Sequence, residues 1–163
     1  MVFVVFGVSG SGKTTIGSLL AETMGWNFYD ADNFHPAANV EKMRQGIPLT
    51  DADRIPWLDS LRELIKRCKA TQENAVLACS ALRDSYRKFL QTGGDVRFIY
   101  LKGDYSLIEQ RLKIRKGHFM NPGLLMSQFK TLEEPKEDVL VVDVAPTPEE
   151  IVQTIVKQLP VNK

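Results

Sequence analysis

Eight residues near the start of the chain, Gly7-Val8-Ser9-Gly10-Ser11-Gly12-Lys13-Thr14, fit the pattern G-x-x-x-x-G-K-[ST] at every position. Three glycines let the main chain curl around an anion, so that several N–H groups point inward. A helix opening at this point adds the positive end of its dipole. Lys13 brings a mobile cation to β- and γ-phosphates, Thr14 a hydroxyl for Mg²⁺, and Thr15 a contact to the α-phosphate. Such a cradle binds a nucleoside triphosphate and leaves open what the nucleotide is for.

Two uses are excluded by missing parts. A guanine-reading switch needs N-K-x-D, but the only Asn-Lys pair is Asn162-Lys163, and no D-x-x-G occurs. A transport ATPase needs a longer chain and a signature such as L-S-G-G-Q, also missing. Val139-Leu140-Val141-Val142-Asp143 has the form of a magnesium-binding strand, but it lies on the last strand, so Asp143 reads as a strand-end residue.

A small-molecule kinase needs an acid at the acceptor hydroxyl, a substrate-gripping insertion and mobile cations. Asp30-Ala31-Asp32 follows a strand. In an extended segment both acids face the same way, with Asp32 the stronger candidate to orient the hydroxyl or accept its proton. Asn33 suits an Asx-turn before the next helix. Arg54, among the acids Asp51 and Asp53, is either a surface ion pair or a fork for an anionic acceptor. Arg111 and Arg115, four apart, share a helix face ahead of Gly117, where a cation on a closing loop can stabilise phosphoryl charge. His118 has no evident acid partner and reads as a loop residue.

Alternating elements must position these groups. Strands are expected at Val2 to Phe6, Trp26 to Tyr29, Ala75 to Cys79, Val96 to Leu101 and Val139 to Val142. Helices are expected at Lys13 to Met24, Pro36 to Gln45, Pro56 to Ala70, Leu82 to Leu90, Tyr105 to Ile114, Leu124 to Leu132 and Pro148 to Leu159. This alternation implies a parallel sheet covered on both faces, with all carboxyl ends at one edge where ligands bind.

The 163 residues suit one domain, since domains commonly run to about 100–150 residues. A chain this size hides roughly 69% of its unfolded surface, enough for a core without staples. A hydrophobic share of 44% and a net charge of +1 argue against disorder, and against a chain living on nucleic acid or an anionic membrane. Two cysteines, Cys68 and Cys79, are too few for a disulfide framework and read as buried thiols. No apolar run approaches the ~20 residues of a membrane span. The expected location is therefore the cytoplasm.

Beyond the cradle, several blocks carry a resemblance to the gluconate kinases. They are Asp30-Ala31-Asp32-Asn33-Phe34-His35-Pro36, Asn39-Val40-Glu41-Lys42-Met43, Gly46-Ile47-Pro48-Leu49 and Asp51-Ala52-Asp53-Arg54-Ile55-Pro56-Trp57-Leu58. Cys79-Ser80-Ala81-Leu82, Phe98 to Gly103, Arg115-Lys116-Gly117-His118-Phe119 and Gln128 to Pro135 continue it over nearly the whole chain. The resemblance implies a three-layer α/β P-loop kinase fold, a five-stranded parallel sheet of order 2-3-1-4-5 with helices on both faces. It implies one domain over residues 1–163, a substrate-binding insertion at about 33–58 and a mobile lid at about 115–123. It also implies transfer of a phosphoryl group from ATP, with Mg²⁺, to the 6-hydroxyl of D-gluconate. By position, Lys13 rides on the phosphates, Thr14 on Mg²⁺, Asp32 on the acceptor hydroxyl and Arg54 on the carboxylate, and Arg115 closes over the transferring group. Family members often have glycine between the two acids; Ala31 stands there in this chain, and the carboxylate spacing is kept. The nucleotide side is assigned Gly7 to Thr15 and Arg111, and the acceptor side Asp32, His35, Arg54, Arg83 and Gln128. Family members are commonly homodimers; nothing in this composition marks an interface. Kinases for shikimate or a nucleoside monophosphate, and a non-catalytic nucleotide-binding module, are the alternatives. A shikimate kinase is expected to carry a glycine-rich loop where this chain has Ser80-Ala81-Leu82-Arg83.

Overall fold

A computed structural model describes residues 1–93, 95–114, 122–135 and 139–159. The strands are β1 (Val2–Phe6), β2 (Asn27–Asp30), β3 (Ala75–Cys79), β4 (Val96–Lys102) and β5 (Val139–Asp143). The helices are α1 (Lys13–Met24), α2 (Ala37–Arg44), α3 (Asp51–Ala70), α4 (Asp84–Leu90), α5 (Tyr105–Ile114), α6 (Pro122–Thr131) and α7 (Pro148–Gln158). The strands form one sheet in the order β2-β3-β1-β4-β5, and every pairing is parallel. This is the expected order and connectivity.

β1 explains why the sheet is covered twice. Its five residues are all apolar and all buried. With side chains alternating across the pleat, Val2, Val4 and Phe6 enter a core under α3 and α4, while Phe3 and Val5 enter a core under α1 and α7. A smaller cluster of Val8, Leu82, Ile108 and Leu125 lies beside the loop after β1 and joins it to α5 and α6. Cys68 and Cys79 are buried free thiols, and burial pushes Cys79 up to about 12. No helix among the described residues is long and apolar enough to cross a membrane.

Three helix starts differ from the sequence expectation by two residues or more, and one segment takes another form. α3 starts at Asp51, not Pro56, because Thr50 and Asp53 form a reciprocal cap: Asp53 N–H donates to Thr50 Oγ1 at 3.1 Å, and Thr50 N–H to Asp53 Oδ2 at 2.9 Å. Pro56 then sits in the second turn, opposite the exposed Ala52. α4 starts at Asp84, not Leu82, because the Leu82 carbonyl accepts from Glu133 N–H and is held out of the helix. Residues 31–34 form a 3-10 turn, not an extended segment. α6 opens at Pro122, two residues before the expected start; the expected lid lies outside the described residues as far as 121.

The Lys42 ammonium, 2.8 Å from Asp53 Oδ2, together with the Thr50 N–H, holds the Asp53 carboxyl down at about 2. This contribution is full above the ordinary carboxyl value near 4 and is lost as pH falls from about 4 to about 2. Asp53→Asn is therefore expected to flatten the loss of stability across that window and to lower Tm at pH 7. Thermal melts from pH 2 to 7 check this, and parallel slopes for the two proteins would contradict it.

Candidate active site

The loop after β1 curls as the glycine spacing requires. Gly12, at φ +95°, caps α1 in the left-handed region. Gly10 has φ +81°, and a Cβ there would stand 2.8 Å from Leu112 Cγ. Ser11 N–H turns back to the Val8 carbonyl at 3.2 Å. The Lys13 ammonium arches over the loop to the same carbonyl at 3.1 Å. Gln128, from α6, grips Ser9 twice. Its Oε1 accepts from Ser9 N–H at 2.7 Å, and its Nε2 donates to Ser9 Oγ at 3.1 Å.

The acids after β2 divide their work. Asp30 Oδ1 accepts from Asp32 N–H at 2.9 Å and so caps the 3-10 turn. Its Oδ2 accepts from Thr14 Oγ1 at 3.1 Å. Both oxygens of Asp30 are thus engaged. The Asx-turn belongs to Asp30, not to Asn33. The Asp32 carboxylate has no hydrogen-bond partner among the described residues, and it lines a cleft of about 260 Å³ with Lys13, His35, Arg54, Tyr86 and Gln128. The expectation that both acids face one edge gives way to this arrangement because the turn rotates residue 32 away from residue 30.

Trp57 fixes the same turn from the other side. Its buried Nε1–H donates to the Ala31 carbonyl at 2.8 Å, and its ring stacks on His35 with centroids 4.5 Å apart and planes at 9°. Burial lowers the proton affinity of His35; Asp32 opposes this and Arg54 reinforces it. Arg54 makes the ion pair that the sequence allowed for it and also faces the cleft. It pairs with Asp51 at 3.5 Å and donates to Tyr86 Oη at 3.3 Å, and it also lines the cleft. Tyr86 in turn donates to Asp51 at 2.5 Å, which with Arg83 and Arg54 holds the Asp51 carboxyl below its ordinary range.

A second cavity, about 480 Å³, lies on the other side of the loop against Gly10, Gly12, Thr15, Arg111, Thr147 and Pro148. Arg111 donates to the Ala145 carbonyl at 3.4 Å. Asp143 Oδ1 accepts from Ala145 N–H at 2.9 Å and shapes the turn after β5.

The structure thus gathers Lys13, Asp32, His35, Arg54 and Gln128 around one cleft, and Thr15 and Arg111 around the other cavity. Arg83 does not line the acceptor cleft. It precedes α4, and its guanidinium stands 3.7 Å from Asp51. Arg115 lies outside the described residues. Sequence reasoning passed over Tyr86, Ser80 and Asn39. Asn39 stood inside a quoted block without a role, and Tyr86 had no local signal, since only the α3–α4 packing brings it to the cleft.

Among the described residues no three His, Cys, Asp or Glu side chains form a metal cage. The Thr14 hydroxyl and the Asp30 carboxylate are two hard oxygens 3.1 Å apart at the mouth of the loop. That donor set suits Mg²⁺, which keeps most of its waters and takes phosphate oxygens as ligands.

Trp57→Phe keeps the ring but strands the Ala31 carbonyl, a change expected to cost about 1–3 kcal/mol of stability. It should also lower kcat, because Asp32 follows Ala31. Urea unfolding and steady-state kinetics check both; an unaltered kcat would show that the turn is held elsewhere.

A family model described as shikimate kinase matches residues 9–160. The chain is 43% identical to the thermoresistant gluconokinase of Escherichia coli (strain K12), over 99% of this chain and 95% of that protein. A crystal structure of a gluconokinase from Sinorhizobium meliloti 1021 superposes with a TM-score of 0.84 at 44% identity, covering 93% of this chain and 86% of that one. A shikimate kinase from Aquifex aeolicus superposes with a TM-score of 0.63 at 19% identity, covering 97% of this chain and 95% of that one; this likeness speaks to the fold alone. The chain belongs to the gluconokinase family, within the wider set of P-loop kinases that the shikimate kinase model describes.

Proposed function

We propose that this enzyme transfers the γ-phosphoryl group of ATP to the 6-hydroxyl of D-gluconate, giving 6-phospho-D-gluconate and ADP. The observation that carries the reading is the Asp32 carboxylate, without a hydrogen-bond partner among the described residues, sharing one cleft with Lys13 and Arg54. A sugar acid needs a base at one end, a cation at the other and many hydrogen-bond partners between. The likeness to gluconokinases at 43–44% identity supports the choice of acceptor.

In this reading the loop amides and the α1 N-terminus hold the phosphates, and Lys13 offsets charge on the group in transfer. Thr14 and Asp30 would hold Mg²⁺, which neutralises phosphate oxygens when bound. The 6-hydroxyl oxygen attacks the γ-phosphorus, the bond to the β–γ bridging oxygen breaks, and Asp32 takes the hydroxyl proton. Arg54 keeps donors beyond its Asp51 contact and receives the gluconate carboxylate. Arg115, the residue after α5, is assigned to the transferring group by its place in the R-K-G-H-F block. The base of ATP occupies the second cavity, against Thr147 and Pro148.

A coupled ADP-release assay with gluconate, shikimate and AMP tests the acceptor. Turnover is expected with gluconate; preference for either of the others would replace the reading, and none with any acceptor would leave a nucleotide-binding module. Two substitutions separate the roles. Asp32→Asn should lower kcat roughly 10²–10⁴-fold with little change in the KM for ATP. Arg54→Ala should instead raise the gluconate KM about tenfold or more, the worth of a charged hydrogen bond. An Asp32→Asn enzyme that loses only ATP affinity would put Asp32 on the wrong ligand.

A further inference from the structure

We propose that Asn39 sets the tautomer of His35, so that the ring offers Nε2–H to the acceptor cleft as a neutral hydrogen-bond donor. Asn39 is then a positioning residue for acceptor recognition. The inference rests on the reading of this cleft as the sugar-acid site.

The argument begins with Asn39 itself, which is 4% exposed near the start of α2. Its Nδ2 donates to the Asp53 carbonyl at 2.8 Å. A carbonyl only accepts, so the amide must turn its nitrogen, not its oxygen, in that direction. The same nitrogen stands 3.2 Å from His35 Nδ1. An amide NH₂ has two hydrogens to give and accepts nothing, so Nδ1 must be bare. In a neutral ring the proton then sits on Nε2. A doubly protonated ring would set two donors against each other.

The surroundings of the ring favour this state. Stacking on Trp57 fixes its plane. Burial disfavours the charged form, and the Arg54 guanidinium adds to that against the pull of the Asp32 carboxylate. The other nearby acid, Asp53, has its carboxylate turned to Lys42 and the Thr50 N–H. Nε2 has no partner among the described residues, and His35 lines the cleft. A neutral Nε2–H can bond a substrate hydroxyl oxygen without competing with Asp32 for the reacting proton.

The chain has two histidines, His35 and His118, so long-range ¹H–¹⁵N spectra of the imidazoles are simple to assign, with His35→Gln marking one set. The wild-type enzyme near pH 7.5 is expected to show His35 neutral and protonated at Nε2. Asn39→Asp should move the proton to Nδ1 or charge the ring, because a carboxylate only accepts. It should also raise the gluconate KM about tenfold with the ATP KM held within about twofold. His35→Gln places an amide nitrogen near the Nε2 position and should keep roughly tenfold more kcat/KM for gluconate than His35→Asn. A wild-type ring protonated at Nδ1, or charged at this pH, would overturn the inference; that spectrum needs no variant to fold. So would a folded Asn39→Asp protein with an unaltered ring spectrum. Absence of gluconate turnover by the wild type would remove the acceptor reading and with it the recognition role, while the spectrum would still decide whether Asn39 sets the tautomer.

Discussion

The carboxylate of Asp30 joins the two halves of the site. β1 carries the phosphate loop and β2 the turn that holds Asp32, and β3 lies between them in the sheet. Two strand spacings of about 4.8 Å leave roughly 10 Å between the ends of β1 and β2. Thr14 and Asp30 close that gap with one hydrogen bond of 3.1 Å, while the other Asp30 oxygen caps the turn that carries Asp32. The turn that carries Asp32 is thereby tied to the phosphate loop. Cys79 ends β3 between the two strands; its thiol is influenced by Lys13 in one direction and by Asp30 and Asp32 in the other. Three charges converge over one buried, uncharged sulfur.

The insertion acts on this frame from the side. α3 buries Trp57 against the core, and that single side chain both holds the Ala31 carbonyl and stacks on His35. The reciprocal cap at Thr50 and Asp53 matters beyond helix α3, since Asp53 also holds Lys42 through its carboxylate and Asn39 through its carbonyl. Helix start, helix α2 and the imidazole are thus tied through one residue. On the same face of the sheet, Arg87 of α4 is 5% exposed and lies over the Phe6 ring; it donates to the Ala81 and Glu133 carbonyls, at 2.7 and 2.6 Å. It fastens the end of α6, and so Gln128, to the loop after β3. A buried guanidinium with carbonyl partners is costly to remove, because both carbonyls would lose their donor.

Local rules carried the strand-helix alternation, the parallel sheet and the phosphate loop, whereas the strand order was what the resemblance to the gluconate kinases implied. An apolar run such as Val2 to Phe6 admits one role in a strand-helix alternation, and the glycines before Lys13 admit few backbone paths. Local reading failed where a partner outside the element, or a cap ahead of it, settles a boundary. Leu82 leaves α4 for Glu133, and Pro56 yields its expected place to the cap six residues earlier. The division of work between Asp30 and Asp32 was hidden for the same reason: it depends on Thr14, sixteen residues away. Arg83 was read among the polar partners of the acceptor, and the fold sets it beside Asp51. Arg54 could not be resolved because its ion pair and its place in the cleft are both real.

The charges at the cleft are arranged before any ligand enters, and this bears on selectivity. Asp51 keeps Arg54 oriented through Tyr86, so little side-chain freedom remains to be lost when an anion arrives. Asn39 and Trp57 do the same for His35. A ligand that reaches these groups with oxygen atoms satisfies them, whereas one of similar size without those hydroxyls covers them and leaves them unpaired, at about 1–3 kcal/mol each. Discrimination by such a penalty is stronger than discrimination by apolar fit. The cleft combines both kinds of contact, since the apolar side chains Ile47, Pro48 and Leu49 line it together with these fixed donors and acceptors.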